Sequence, residues 1–208
     1  MLDTTGLDSQ DSQLLQNLYD EVDNIFNNEI VDETEIPLEE LSLFKHYSHF
    51  FFRQAIRIKE GAENAYIAII QVAYSYMGTK GGMHTSTEYQ AWAYCRLPEH
   101  FGHLIIKPET FKDRLIELFQ PMEMNFPDDR EFCRRFYVLS KDWQKAQQLL
   151  TPGFREALKK LYIRDLQVEV YNNFLIAGNC KKLDREHIIA LAGFVHHVAE
   201  MRFPFYRG

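Results

Sequence analysis

The stretch "NAYIAIIQVAYSYMGTKGGMHTSTEYQAWAYCRL", Asn64 to Leu97, decides how the rest of the chain is read. Its first part, Asn64 to Met77, is dense in β-branched and aromatic residues and has no helix-favouring charge pairs. Its last part, Glu88 to Leu97, alternates large and small side chains. Both patterns predict strands. The middle, Gly78 to Thr85, holds three glycines, a lysine and two threonines, the vocabulary of a phosphate-binding loop. A P-loop, however, places G-x-x-x-x-G-K-[ST] between a strand and a helix, so that backbone N–H groups and the helix N-terminus face the phosphates. Here Lys80 precedes the glycine pair and a strand follows. The reading is therefore a β-hairpin, with Gly78, Gly81 and Gly82 supplying positive φ and with Lys80 and His84 solvated at the tip.

Working outward, Leu14, Leu15, Leu18, Val22, Ile25 and Phe26 recur at helical spacing between Asp11 and Asn28, with Asp11 or Ser12 as N-cap. The acidic, unpatterned "NNEIVDETEIP" reads as a linker, and Pro37 with "LEEL" opens a second helix near Leu38. The run "FKHYSHFFFRQAIRI" either stays helical or turns extended around Phe52 to Ile58. After the hairpin come a short strand "HLIIK", a helix over 109–119 and a strand "EFCRRFYVLS" ending at Ser140. Two short helices broken by "TPG" follow, with Pro152 at a first-turn position. A second hairpin pairs Gln167–Val170 with Phe174–Ala177 around Asn172-Asn173, and Asp184 caps a final helix running to about Met201. Strands grouped with helices between them predict an α+β fold on an antiparallel sheet. The expected organisation is an amphipathic helix and acidic linker over 1–36, then one α+β domain over 37–208.

The chain has 208 residues, 46% hydrophobic, with 30 acidic against 23 basic side chains and a net charge of -7. That balance, with no basic stripe, argues against a nucleic-acid partner, whose phosphates require one. Three cysteines without a C-x-x-C pair, and no secretory signal pattern, predict a reducing, cytoplasmic setting. The most apolar runs are shorter than the roughly 20 residues of a membrane-crossing helix.

The segments from Ala65 to Glu109, from Phe132 to Leu161 and from Leu166 to Asn179 share an order of motifs: Leu97-Pro98, Pro108-Glu109, the Phe132–Leu139 strand, Asp142, Pro152 and Leu158. Over about residues 60 to 200 this order resembles a group of bacterial domains of unknown function, often found beside membrane-tethering segments. The resemblance implies an α+β domain and carries no catalytic residue across. The chain departs from the group in lacking the hydrophobic anchor.

Histidines are the first place to look for chemistry. His46 and His49 lie three apart, and His196 lies four before Glu200, so on helices each pair shares a face and is a candidate metal pair. Against this, a pair is an incomplete ligand set, and no H-E-x-x-H occurs. "PEHFGH" combines Glu99, His100 and His103 in a loop, a composition suited to acid–base catalysis, or otherwise to a polar connection between strands. Cys95 and Cys133 fall in strand patterns and read as core thiols. "HFFFRQAIRI", Phe50 to Phe52 with Arg53 and Arg57, suits either the core or a membrane surface or protein partner. Phe203, Phe205 and Tyr206 beyond the last helix either dock on the domain or form an exposed anchor.

The leading expectation is a non-enzymatic protein-interaction or regulatory module, without a cofactor, that engages a protein partner or another copy through Leu14, Leu18, Val22 and Ile25 of the first helix. The competing expectations are a small metal-assisted hydrolase at Glu99, His100 and His103, and peripheral membrane association through Phe50 to Arg57.

Overall fold

The computed structural model describes residues 5–31, 36–59, 64–77, 81–108, 122–181 and 185–203. The expected helix over 109–119, the turn residues Gly78 and Lys80, the Asp184 cap, and Phe205 with Tyr206 lie outside the described residues. The strands are β1 Asn28–Val31, β2 His49–Ile58, β3 Ala65–Met77, β4 Met83–Arg96, β5 His103–Pro108, β6 Met122–Met124, β7 Phe136–Ser140, β8 Gln167–Tyr171 and β9 Phe174–Gly178. The helices are α1 Ser9–Phe26, α2 Arg130–Arg135, α3 Trp143–Leu149, α4 Pro152–Lys160 and α5 Arg185–Glu200. Every strand pairs antiparallel, giving one sheet in the order β1-β2-β3-β4-β9-β8-β5-β7-β6. The fold is mixed α+β.

Side chains alternate across a strand, so each strand feeds two faces. One face carries Ile56, Ile67, Ile69, Ala93, Leu104, Ile106, Val138, Val168, Val170 and Ala177, packed with Leu15, Leu18, Val22, Leu149, Phe154, Leu158, Leu191 and Val195 of the helices. The other carries Ala68, Ile70, Val72, Trp92, Tyr94 and Ile176, covered by Leu38, Leu41, Leu43, Phe44 and Tyr47. Both faces of β3 and β4 are thus apolar, which explains the nearly continuous hydrophobic run in β3. Each fully buried Leu, Ile or Phe contributes about 1.5–3 kcal/mol, so these two layers dominate stability.

Several boundaries differ from the sequence expectation. The linker begins as β1, because Asn27, at φ 45, reverses the chain out of α1 and aligns Asn28 with Ile58. No second helix forms at Leu38. Two 3-10 turns, Leu38–Glu40 and Ser42–Phe44, lead straight into β2, which starts at His49 rather than near Phe52. The strand β4 starts at Met83, five residues before Glu88. "EFCRR" is the helix α2, fixed by the Asp129 carboxylate accepting the Phe132 N–H, so Cys133 sits on a helix and not in a strand. Finally, α1 is capped by Asp8, and its apolar face lies on the core instead of standing off as an arm. No helix among the described residues is long and apolar enough to cross a membrane.

The segment covering the second face is held by polar anchors as well as by burial. Gln90 is fully buried, and its amide oxygen accepts from the Tyr47 hydroxyl and the Trp92 indole N–H, each at 3.1 Å. Its amide nitrogen donates to the Tyr74 hydroxyl at 3.3 Å. Burial, with the neighbouring Cys180, raises the Tyr47 phenol well above its ordinary range, so it remains a donor.

Candidate functional site

Two places on this scaffold concentrate chemistry: a polar strip on the second face of β5 and β8, and the free end of the sheet at β2, β3 and β4. In β5, Leu104 and Ile106 point to the helical layer, so His103, Ile105 and Lys107 occupy the opposite face. In β8, Val168 and Val170 do the same, leaving Glu169 and Tyr171 beside them, with His103 in register with Tyr171 and Ile105 with Glu169. Gly102, at φ +75, turns the chain into β5; its carbonyl accepts the Asn172 N–H at 2.7 Å and so sets the height of His103.

His103 Nε2 lies 2.6 Å from Glu169 Oε1. The Glu169 side chain is wholly buried, while His103 keeps 13% exposure. The two carboxylate oxygens also accept the Ser42 N–H at 2.8 Å and the Leu43 N–H at 2.9 Å. These are the first two N–H groups of the second 3-10 turn, so Glu169 caps it from across the sheet. A buried carboxylate is costly unless hydrogen-bonded, and three donors meet that need here. Tyr171 stands edge-on to His103 at 5.4 Å, and its pKa is raised by its hydrogen bond to the Glu40 carboxylate. Lys107 is 1% exposed, with Nζ 5.6 Å from the centre of the Tyr137 ring.

Of the expected catalytic group, the structure brings only His103 to a carboxylate, and that carboxylate is Glu169. Glu99 and His100 are exposed in the preceding loop. His46 and His49 do not share a helix: His46 follows the 3-10 turns against Tyr47, and His49 opens β2 near Phe51. Burial lowers the pKa of His46. His196 and Glu200 do share a face of α5, 3.8 Å apart, and His196 also packs on Phe26 at 5.8 Å. Among the described residues, no group of three or more His, Cys, Asp or Glu is placed to hold a metal ion.

The expected partner-binding residues of α1 face inward for the most part. Leu18 and Val22 are 2% and 0% exposed, and Leu14 packs against the same core, while Ile25 is 48% exposed. Their spacing reported an amphipathic helix correctly; it could not report which apolar surface the helix would meet.

The free end of the sheet presents what α1 does not. The strand β2 pairs with β3 only as far as His49↔Ala73, whereas β3 and β4 remain paired to Met77↔Met83. Tyr74 still packs in the second layer and the Ser75 N–H donates to the Ser48 hydroxyl, so the exposed ribbon beyond β2 is Ser75–Met77 with its partners Met83–Thr85. Met77 and Met83 face each other at its end, 74% and 68% exposed, and Tyr76 stacks with His84 at 5.6 Å on the opposite side. Beside the ribbon, Phe51 is exposed, while Phe50 and Phe52 pack against the second layer. Among the described residues no strand pairs with the outer edge of His49–Phe52, since β1 covers only Ala55–Ile58. None pairs with the outer edge of Met83–Thr87 either, since β9 covers only Trp92–Arg96. The described residues of this end, 49–52, 74–77 and 81–87, contain no Asp, Glu, Lys or Arg.

No family model, no curated protein and no solved structure matches this chain.

Proposed function

We propose that this chain is a non-enzymatic protein-interaction module that docks through the free end of its sheet, and that the strand it receives belongs to a second copy of the chain. The observation that carries this reading is the two-stranded ribbon, whose described residues include no Asp, Glu, Lys or Arg, with Met77 and Met83 facing each other across it. A lone two-stranded ribbon is marginally stable in water, and an open strand edge is a template for another strand. Natural edges are normally blunted by charge, and this one has none between Met83 and Thr87. The chain as a whole carries -7, so two copies repel each other overall, and strand edges whose described residues lack acidic side chains are where they meet at least electrostatic cost. Antiparallel pairing of one β4 edge with its twin is self-complementary about a two-fold axis.

Sedimentation over a concentration series tests it. The expected result is a reversible dimer that Phe51→Ser/Met77→Ser/Met83→Ser converts to a folded monomer. A wild-type chain that stays monomeric throughout, with its ribbon amides freely exchanging, overturns self-docking. A dimer that persists in the triple variant moves the interface elsewhere.

The hydrolase alternative draws on one observation, the His103–Glu169 contact, which matches a base oriented by a carboxylate. Anchoring accounts for the same contact with less, because the remaining Glu169 bonds go to the Ser42 and Leu43 backbone. The membrane alternative draws on exposed Phe51, but Arg57 of the same strand is paired with Glu29.

A further inference from the structure

A second feature, at the far side of the molecule and independent of the docking surface, is a cleft of about 630 Å³ lined by Asn125, Phe126, Pro127, Arg130, Cys133 and Arg134. Its volume falls within the range of small-molecule sites. Arg130 and Arg134 lie one turn apart on α2, so both guanidinium groups share the face that borders the cleft. Three carboxylates beside α2, those of Asp128, Asp129 and Glu131, lie against other cations. Asp128 and Asp129 receive Arg155, at 2.5 and 3.2 Å, and Asp129 also receives Lys159 at 3.1 Å, with Glu131 4.0 Å from Lys159. Among the described residues neither Arg130 nor Arg134 makes an ion pair. Like charges at this spacing repel, so the pair costs stability unless an anion joins it.

The opposite wall is preformed. The Cys133 thiol accepts the Phe126 N–H at 3.2 Å and lies 3.4 Å from the Phe126 carbonyl, tying the 125–127 loop to α2. The Phe126 ring is wedged between the Arg155 guanidinium, 4.6 Å from its centre, and the Phe132 ring at 5.5 Å. The result is an apolar floor of Phe126, Pro127 and Cys133 beneath two guanidinium groups that have no ion-pair partner among the described residues. Arginine forks suit carboxylate and phosphate oxygens, which they meet two bonds at a time.

We propose that this cleft binds a small organic anion, a carboxylate or phosphate monoester on an apolar body, with Arg130 and Arg134 holding the charged head. Amide chemical shifts of ¹⁵N-labelled protein titrated with benzoate and with phenyl phosphate test it, with benzyl alcohol as the uncharged control. The expected result is a saturable shift confined to Asn125–Arg134 for at least one anion and none for the alcohol, and R130Q/R134Q weakens binding by at least about tenfold. Both arginines are exposed, so the variant is expected to keep the wild-type spectrum elsewhere. No saturable shift with either anion, an equal response to benzyl alcohol, or binding that survives R130Q/R134Q overturns the proposal.

Discussion

His103 and Glu169 meet at 2.6 Å although 66 residues separate them, and the same carboxylate holds Ser42 and Leu43 from 127 and 126 residues away. Glu169 therefore ties three distant parts of the chain to one buried point and fixes the segment that covers the second face. Replacing it with Gln keeps the shape but leaves one acceptor where two were needed. Glu169→Gln is expected to cost about 2–4 kcal/mol in urea unfolding and to open the chain between Pro37 and Tyr47 to limited proteolysis. His103→Ala is expected to cost less, because the two backbone donors still satisfy the carboxylate.

Gly178 lies opposite Trp92 in the β4–β9 pairing. A Cβ at Gly178 would stand 2.6 Å from the Trp92 ring, which is fully buried against Phe44 at 5.0 Å. Gly178→Ala is expected to destabilise by about 1–3 kcal/mol through overpacking, with a change in the near-ultraviolet circular dichroism of the tryptophan.

Asp129 predicts an acid-sensitive link. Burial opposes its ionisation, but the Phe132 N–H, Lys159 and Arg155 outweigh burial and hold its carboxyl below the usual range. A depressed carboxyl stabilises the fold above its unfolded pKa, about 3.9, and that contribution is lost as pH falls through the lower folded value. Asp129→Asn keeps the cap but loses the charge. The expected loss is about 1–3 kcal/mol at pH 7, shrinking below about pH 4, read from urea midpoints at several pH values.

The thiols are expected to differ in reactivity. Cys95 is fully buried, and burial pushes its pKa up to about 12. Ellman's reagent is expected to label Cys133 and Cys180, both partly exposed, in the native state, and Cys95 only after unfolding.

The strands that announced themselves in the sequence did so through local chemistry. The β-branched run of β3 is such a case, and so is Asn172, whose φ of 57 realises the expected turn between β8 and β9. Thr151, which caps Phe154, with Pro152 after it separates α3 from α4 just where "TPG" suggested. What stayed hidden depends on distant partners. Within the Gln167–Val170 strand nothing marks Glu169 out, since its three donors come from other parts of the chain. The helix α2 is too short for periodicity to reveal, and it is fixed by Asp129, which is itself held by Arg155 and Lys159. The apolar stripe of α1 was visible, yet spacing alone could not distinguish a core-facing stripe from a partner-facing one. The projecting ribbon followed from where β2 and β9 stop pairing, which no single strand records.

The most direct test of the docking surface is hydrogen–deuterium exchange of the wild-type chain at low and high concentration, with the mass of the native assembly recorded at each. The predicted result is a dimer at high concentration in which amides of Met83–Thr87 become protected while the core amides do not change. A dimer whose ribbon amides exchange as fast as in the monomer, or a chain that remains monomeric at both concentrations, would contradict the account.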